Sequence, residues 1–314
     1  MAHMLVFPGQ GAQFVGMGKD LADAFTVARE VFLEVDDALE ENLSKMMFSG
    51  EQDDLTLTKN AQPALMAVGM AVVRVLQQEG KLSLADTFKY AAGHSLGEYS
   101  ALCAAGAFDI TTAARLLRRR GLAMQEAVPV GKGGMAALIG ADVETAKAIA
   151  AEAATDKEIC VAANDNAPGQ VVISGAMPAI DRAVEIATKK GLKRVVKLPV
   201  SAPFHSPMMA PAADVMKDAL AQADVHDLRF PVIANVTARP VEKADDIRRC
   251  LVEQVTGSVR WRESVLYAME NGVDTQVEAG AGKVLSGLAR RISPDLKAVT
   301  LNTPQDIEQF LKAF

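Results

Sequence analysis

The sequence predicts an α/β protein, a mostly parallel sheet with helices on both faces, interrupted by a smaller second unit. Three observations carry this. Short apolar runs that suit buried strands alternate with longer helix-like stretches, the pattern of a parallel sheet covered on both sides. Near residue 127 the texture changes to β-α-β-β-α-β, the order of a ferredoxin-like unit, and it reverts near residue 197. A length of 314 residues, half of them apolar, suits one large domain carrying an insertion or two modest domains. The expected organisation is a discontinuous large subdomain, residues 1–126 and 198–314, around a small ferredoxin-like subdomain at 127–197.

"MLVFPGQG" is a short apolar run ending in Pro-Gly, a buried strand passing into a loop. Asp20 to Glu41 reads as an interrupted helix. Asn60 is expected to N-cap "AQPALMAVGMAVVRVLQQEG", a long apolar helix stopped by Gly80. "FKYAAGHS" is a strand reaching Ser95, and "LGEYSALCAAGAF" is a helix leaving it. Helix continues from Thr111 to Val128. In the small unit "GGMAALIG" is a strand, "DVETAKAIAAEAA" a helix, and "EICVAANDNAPGQVVISG" two strands around a turn. "MPAIDRAVEIATKKG" is then a helix and "KRVVKLPVS" a strand. The large unit resumes with a helix from Pro211 to Ala223, strand "FPVIANV", and helices about Ala244 to Gln254 and Ser264 to Asn271. Strand "DTQVEAG" and a helix from Gly282 to Ile292 complete it.

A formal net charge of −6 with scattered Lys and Arg does not fit a nucleic-acid binder. The three cysteines, Cys103, Cys160 and Cys250, are widely spaced with no C-x-x-C, which fits a reducing compartment and neither a disulfide framework nor a zinc site. The apolar stretch Ala64 to Val73 is too short to span a bilayer. The N-terminus lacks a basic region followed by a long apolar run, so no signal peptide is expected. A cytoplasmic, monomeric enzyme that contacts neither membrane nor nucleic acid is the expectation.

Gly93-His94-Ser95-Leu96-Gly97 fits G-x-S-x-G, a sharp turn that presents a nucleophilic hydroxyl. With Gly and Ser each near 7% of residues, a chain of this length contains the pattern by accident about one time in ten. Its context decides: a strand precedes it and an Ala-rich helix follows, as a nucleophile elbow requires. Serine needs a base, and the chain has four histidines. His3 is terminal, His226 lies in a polar linker, and His94 sits where a side chain usually points away from the nucleophile. His205, in the Pro-flanked loop "PVSAPFHSPMM", is the candidate base. A triad would add a carboxylate; Asp109, Asp142, Asp165 and Glu278 all remain open by position.

"FPGQGAQ", "QPAL", "GHSLGEYSAL", "RRRGLAMQEAVP", "ANDNAPGQVVISG", "PFHSPMM", "QVTGSVRW" and "VEAGAGKVLSGL" follow one another in this order along nearly the whole chain. Together they resemble the malonyl-CoA:acyl carrier protein transacylases and the related acyltransferase domains of fatty-acid and polyketide synthases. The resemblance implies an α/β-hydrolase-like core with an inserted ferredoxin-like subdomain. It also implies a Ser95–His205 dyad whose histidine is oriented by the main-chain carbonyl of Gln254. The oxyanion-hole donors would be the N–H groups of Leu96 and Gln10.

By the same resemblance Arg120 enters the pocket, where a guanidinium can hold a malonyl carboxylate with two parallel hydrogen bonds. Arg115, Arg118 and Arg119 are expected on a solvated helix face. Asn164 is expected to touch substrate or CoA. Gln62 is left between bracing the pocket and a helix N-terminal role. The implied reaction is a two-step exchange with malonyl-CoA and a phosphopantetheinyl carrier protein as substrates, with no bound cofactor and no metal. A free-standing chain favours fatty-acid over polyketide synthesis.

The family's carrier proteins are acidic, so a basic docking patch is expected at Lys189, Lys190, Lys193 and Arg194 or at Arg290 and Arg291. Two positions depart from common family forms: Ser258 stands where Pro often precedes V-R-W, and Ala202 where Gly is frequent.

Overall fold

A computed structural model describes residues 2–200 and 202–313. The large sheet contains β1 (Ala2–Phe7), β2 (Phe88–Gly93), β7 (Val232–Ala234), β8 (Arg239–Val241), β9 (Val273–Ala279) and β10 (Lys297–Leu301). Its order is β10-β9-β1-β2-β7-β8. Every neighbouring pair is parallel except the β7–β8 hairpin.

The alternation of side chains along a strand explains why the central strands are apolar throughout. Leu5, Phe7 and Ala91 pack into the core on one face, with the buried helix Thr58–Gln78. Met4, Val6, Tyr90 and Ala92 pack into the other, against Trp261 and Leu285.

The second sheet contains β3 (Gly133–Ile139), β4 (Cys160–Ala167), β5 (Gln170–Ala176) and β6 (Arg194–Lys197). It is antiparallel, in the order β4-β5-β3-β6. The helices Val143–Ala153 and Met177–Lys189 bury one face through Ile149, Ile173 and Ile180. From the opposite face Met135, Ala137 and Val172 join the core of the large unit, so the small sheet roofs the groove beneath it.

β1 and β2 place the site. They pair in parallel with Phe7 opposite Gly93, so the loops leaving both strands emerge side by side at the C-terminal edge of the sheet, where α/β folds bind ligands.

Three details differ from the sequence reading. Asn60 is not an N-cap: the helix starts at Thr58, and the Asn60 Nδ2 donates to the Asp54 carbonyl at 2.8 Å. Arg118 is not on a solvated face. It is fastened to the Lys59 carbonyl, Asn60 Oδ1 and Glu41 at 2.9, 2.5 and 2.7 Å. β8, β10 and a final helix, Pro304–Leu311, were unforeseen, although the helix carries a full Thr303/Asp306 capping box.

Candidate active site

Ser95 sits between the end of β2 and the helix Gly97–Ala105, with φ of 54°. A left-handed serine costs on the order of 1–3 kcal/mol and persists only where its surroundings fix it. Both of its peptide groups are held by side chains. Its N–H donates to Asn235 Oδ1 at 2.8 Å, and its carbonyl accepts from Gln254 Nε2 at 2.9 Å. Asn235 Nδ2 also donates to the Gly93 carbonyl at 2.7 Å, so one side chain brackets the turn. The flanking glycines are demanded by close approach: a Cβ on Gly93 would lie 1.8 Å from the Gly97 carbonyl oxygen, and one on Gly97 would lie 2.3 Å from that of Phe7.

His205 Nε2 lies 2.8 Å from Ser95 Oγ. On the other side of the ring Nδ1 faces the carbonyls of Gln254 and Gly257 at 2.9 and 3.2 Å. Carbonyls only accept, so Nδ1 carries the proton and Nε2 presents its lone pair to the serine hydroxyl. Gln254 stands in the last turn of the helix Ala244–Thr256, where carbonyls lack intrahelical partners and the helix dipole favours positive charge. Burial, and next the Arg120 charge, push His205 down to about 3, so the ring is a neutral base.

The carboxylates left open by the sequence are engaged elsewhere. Asp109 and Asp142 cap helices, Asp165 grips Arg262 with two oxygens, and Glu278 accepts the Leu285 and Ser286 amides. Ser95 and His205 therefore stand as a pair.

Arg120 is 1% exposed. Nη1 donates to Gln62 Oε1 at 2.9 Å, and Nη2 donates to Gln254 Oε1 at 2.8 Å and to Ser95 Oγ at 3.1 Å. Its Nε has no partner among the described residues. The guanidinium lies over the Tyr99 ring, 5.7 Å from the centroid. Besides accepting from Arg120, Gln62 directs its Nε2 to Met124 Sδ at 3.8 Å.

A cavity of about 270 Å³ opens over these groups, lined among others by Gln10, Leu96, Asn164, Val172 and Phe204. The amides of Gln10 and Leu96 have no acceptor among the described residues. His94 is occupied elsewhere: its Nε2 meets Asn166 Oδ1 at 2.8 Å and its ring lies 5.8 Å from that of Trp261. Ser258 Oγ donates to the Ala163 carbonyl at 3.1 Å, fastening the loop beside Asn164. Among the described residues no group of three His, Cys, Asp or Glu side chains is placed to hold a metal ion.

Residues 4–292 match the family model of the acyl transferase domain. The chain belongs to the acyl transferase domain family. A malonyl CoA-acyl carrier protein transacylase of Bacillus subtilis is 44% identical over 303 residues, 96% of this chain and 94% of its own. A solved acyl-carrier-protein S-malonyltransferase of Bartonella henselae is 55% identical with a TM-score of 0.97, covering 100% of this chain and 99% of its own. A malonyl-transacylase solved in complex with its type II polyketide-synthase acyl-carrier protein is 40% identical with a TM-score of 0.96, covering 100% of both chains.

Two buried residues of this acyltransferase escaped the sequence reading. Asn235 stands next to the end of β7 and reaches the elbow only through the sheet. Glu98, 1% exposed, accepts from Gln254 Nε2 at 2.6 Å and from the Asn235 amide at 3.1 Å. Burial pushes its carboxyl up to about 7. Its signal was available: an acid in a helix whose nine residues are all buried. The basic residues 189, 190, 193 and 194 are exposed at one end of the small sheet, with Lys190 paired to Glu152 at 3.0 Å. No helix among the described residues is long and apolar enough to cross a membrane.

Proposed function

We propose that this acyltransferase moves a malonyl group from malonyl-CoA to the phosphopantetheine thiol of an acyl carrier protein, supplying fatty-acid chain elongation. The observation that carries the reading is Arg120, a buried guanidinium within 3.1 Å of the Ser95 hydroxyl. A fixed positive charge beside the nucleophile selects an acyl group with its own carboxylate. The similarity to malonyl transacylases, one of them solved with its carrier, supports the donor and the acceptor.

The chemistry follows from the geometry. His205 Nε2 takes the Ser95 proton as Oγ attacks the thioester carbon. The Gln10 and Leu96 amides receive the tetrahedral oxyanion. The intermediate collapses, the C–S bond breaks, and CoA leaves with the proton from His205. A malonyl ester remains on Ser95, and Arg120 holds its carboxylate with Gln62 bracing the guanidinium. The carrier thiol then gives its proton to His205 and attacks the ester. The new thioester leaves, and His205 returns the proton to Ser95. The Gln254 carbonyl holds the ring tautomer through both halves, and Asn164 touches the bound donor from the small sheet. The proposed division, 1–126 with 198–314 around 127–197, puts the dyad on the large subdomain and Asn164 on the small one.

Mass spectrometry after mixing with malonyl-CoA tests this. One malonyl group on Ser95, absent in Ser95→Ala and discharged by phosphopantetheinyl carrier protein, is expected. Free malonate released at full rate without carrier would make the protein a hydrolase instead.

A further inference from the structure

Gln254 does two jobs with two parts of one residue. Its main-chain carbonyl faces His205. Its side-chain amide stands between the elbow and Arg120: Nε2 donates to the Ser95 carbonyl and to Glu98, and Oε1 accepts from Arg120 Nη2. The orientation of that amide matters. Flipped, it would set an NH2 against a guanidinium N–H and a carbonyl oxygen against two acceptors.

We propose that Glu98 is a positioning residue. Through the carboxamide of Gln254 it commits an acceptor to Arg120, and through the Asn235 amide it ties that commitment to the Ser95 turn. The inference rests on the malonyl reading of Arg120.

Two donors, Gln254 Nε2 and the Asn235 N–H, converge on the same Glu98 oxygen. Glu98 at 2.6 Å and the Ser95 carbonyl at 2.9 Å are thus the two close acceptors that hold the Gln254 NH2 away from Arg120, with Asn235 Oδ1 more distant at 3.5 Å. The cavity lining includes neither Glu98 nor Asn235 nor Gln254, so Glu98 acts through other residues and not on substrate. A carboxyl keeps an accepting oxygen whether or not it is ionised. The role therefore requires the acceptor and not the charge.

The test compares wild type, Glu98→Met and Glu98→Gln. Three rates are read: single-turnover acylation of Ser95 by malonyl-CoA, the same by acetyl-CoA, and labelling of Ser95 by a fluorophosphonate. In Glu98→Met malonyl acylation is expected to fall about 10- to 100-fold, the usual effect of a misplaced catalytic contact. Acetyl acylation and labelling should fall much less, so the malonyl-to-acetyl ratio drops. Glu98→Gln, which keeps an accepting oxygen, should recover most of the lost ratio.

Equal losses in all three rates, an unchanged ratio, or a Gln variant as impaired as the Met variant would overturn the proposal. If Glu98→Met fails to fold, Glu98→Leu replaces it. That variant also removes the accepting oxygen and leaves Gln254 in place, and it must show the same fall in ratio. A wild-type protein that labels with fluorophosphonate but takes no malonyl group would instead refute the malonyl reading.

Discussion

Arg120 Nη2 donates to Ser95 Oγ at 3.1 Å, on the same oxygen that His205 Nε2 faces at 2.8 Å. The guanidinium and the base share the nucleophile. A malonyl carboxylate gives this buried cation a two-oxygen partner, whereas an acetyl group leaves it without one. Arg120→Ala should therefore lose malonyl transfer far more than acetyl transfer. The difference expected is roughly 2–5 kcal/mol, on the order of 30- to several-thousand-fold. Arg120→Lys should restore little, because it lacks the planar fork. Steady-state rates with the two donors decide; equal losses would remove Arg120 from substrate selection.

The pH dependence follows from His205. Its ring acts as a base when neutral, and burial with the Arg120 charge pushes it down to about 3. The free enzyme should thus keep its labelling rate with fluorophosphonate as pH falls through 6.5, with the acid limb well below that. Removing the positive charge should raise the His205 proton affinity, so Arg120→Met should move the limb toward higher pH. Burial pushes the Glu98 carboxyl up to about 7; because its role needs an accepting oxygen and not the charge, a parallel series in Glu98→Gln should show the same limb. A limb at the ordinary histidine value in wild type, or no upward shift in Arg120→Met, contradicts this account.

The elbow and its base were legible because their signals are local. Gly93, Ser95 and Gly97 belong to one turn, and His205 emerged from a short roster of histidines. The α/β alternation and the small antiparallel unit were legible for the same reason, since periodicity is written residue by residue. What supports the dyad was not. Asn235 lies 140 residues from Ser95 and meets it only because β7 pairs with β2. The Gln254 amide depends on where a helix happens to end. Asn60 misled because a capping residue type stood at the third position of a helix, where Arg118 takes its oxygen instead. Local propensity gave way there to a tertiary contact.

Asn235 should behave differently from Glu98. Its side chain satisfies the Ser95 N–H and the Gly93 carbonyl at 2.8 and 2.7 Å and meets the Gln254 amide only at 3.5 Å, so it holds the strained turn far more than the acyl selector. Asn235→Ala leaves both groups unpaired in the interior, a cost of about 2–4 kcal/mol. A Tm decrease on the order of 4–10 °C is expected. Acylation by malonyl-CoA and acetyl-CoA should fall by the same factor, with the ratio between them unchanged. A selective loss of malonyl transfer would show that the turn and the selector are not separable in this way.

Register brings Arg194 and Arg291, one from each basic cluster, to one edge of the small sheet. Gln170 on β5 pairs with Ile139 on β3, and Ile139 pairs with Arg194 on β6. Two strand spacings put Gln170 and Arg194 about 10 Å apart on the same edge. Arg291 Nη1 reaches across to Gln170 Oε1 at 2.7 Å, bringing Arg290 and Arg291 to that edge as well. Lys189 and Lys193 are exposed nearby in sequence, while Lys190 is paired with Glu152. On an enzyme of net charge −6 this edge is where an acidic carrier protein should dock. Lys193→Glu with Arg194→Glu should raise KM for the carrier about 3- to 30-fold at low salt, and Arg290→Glu with Arg291→Glu should do the same. The effect should shrink at high ionic strength, where exposed charges are screened. Acylation by malonyl-CoA alone should not change, because the dyad and Arg120 lie inside the cavity. Combining the two pairs should give about the product of their separate effects, since well-spaced contacts to one docked partner add in free energy. Measuring carrier KM across a salt series for the three variants checks this. A combined variant no worse than one pair alone would take the other cluster off the docking surface, and no change in KM at any salt concentration would leave the edge as ordinary solubilising charge.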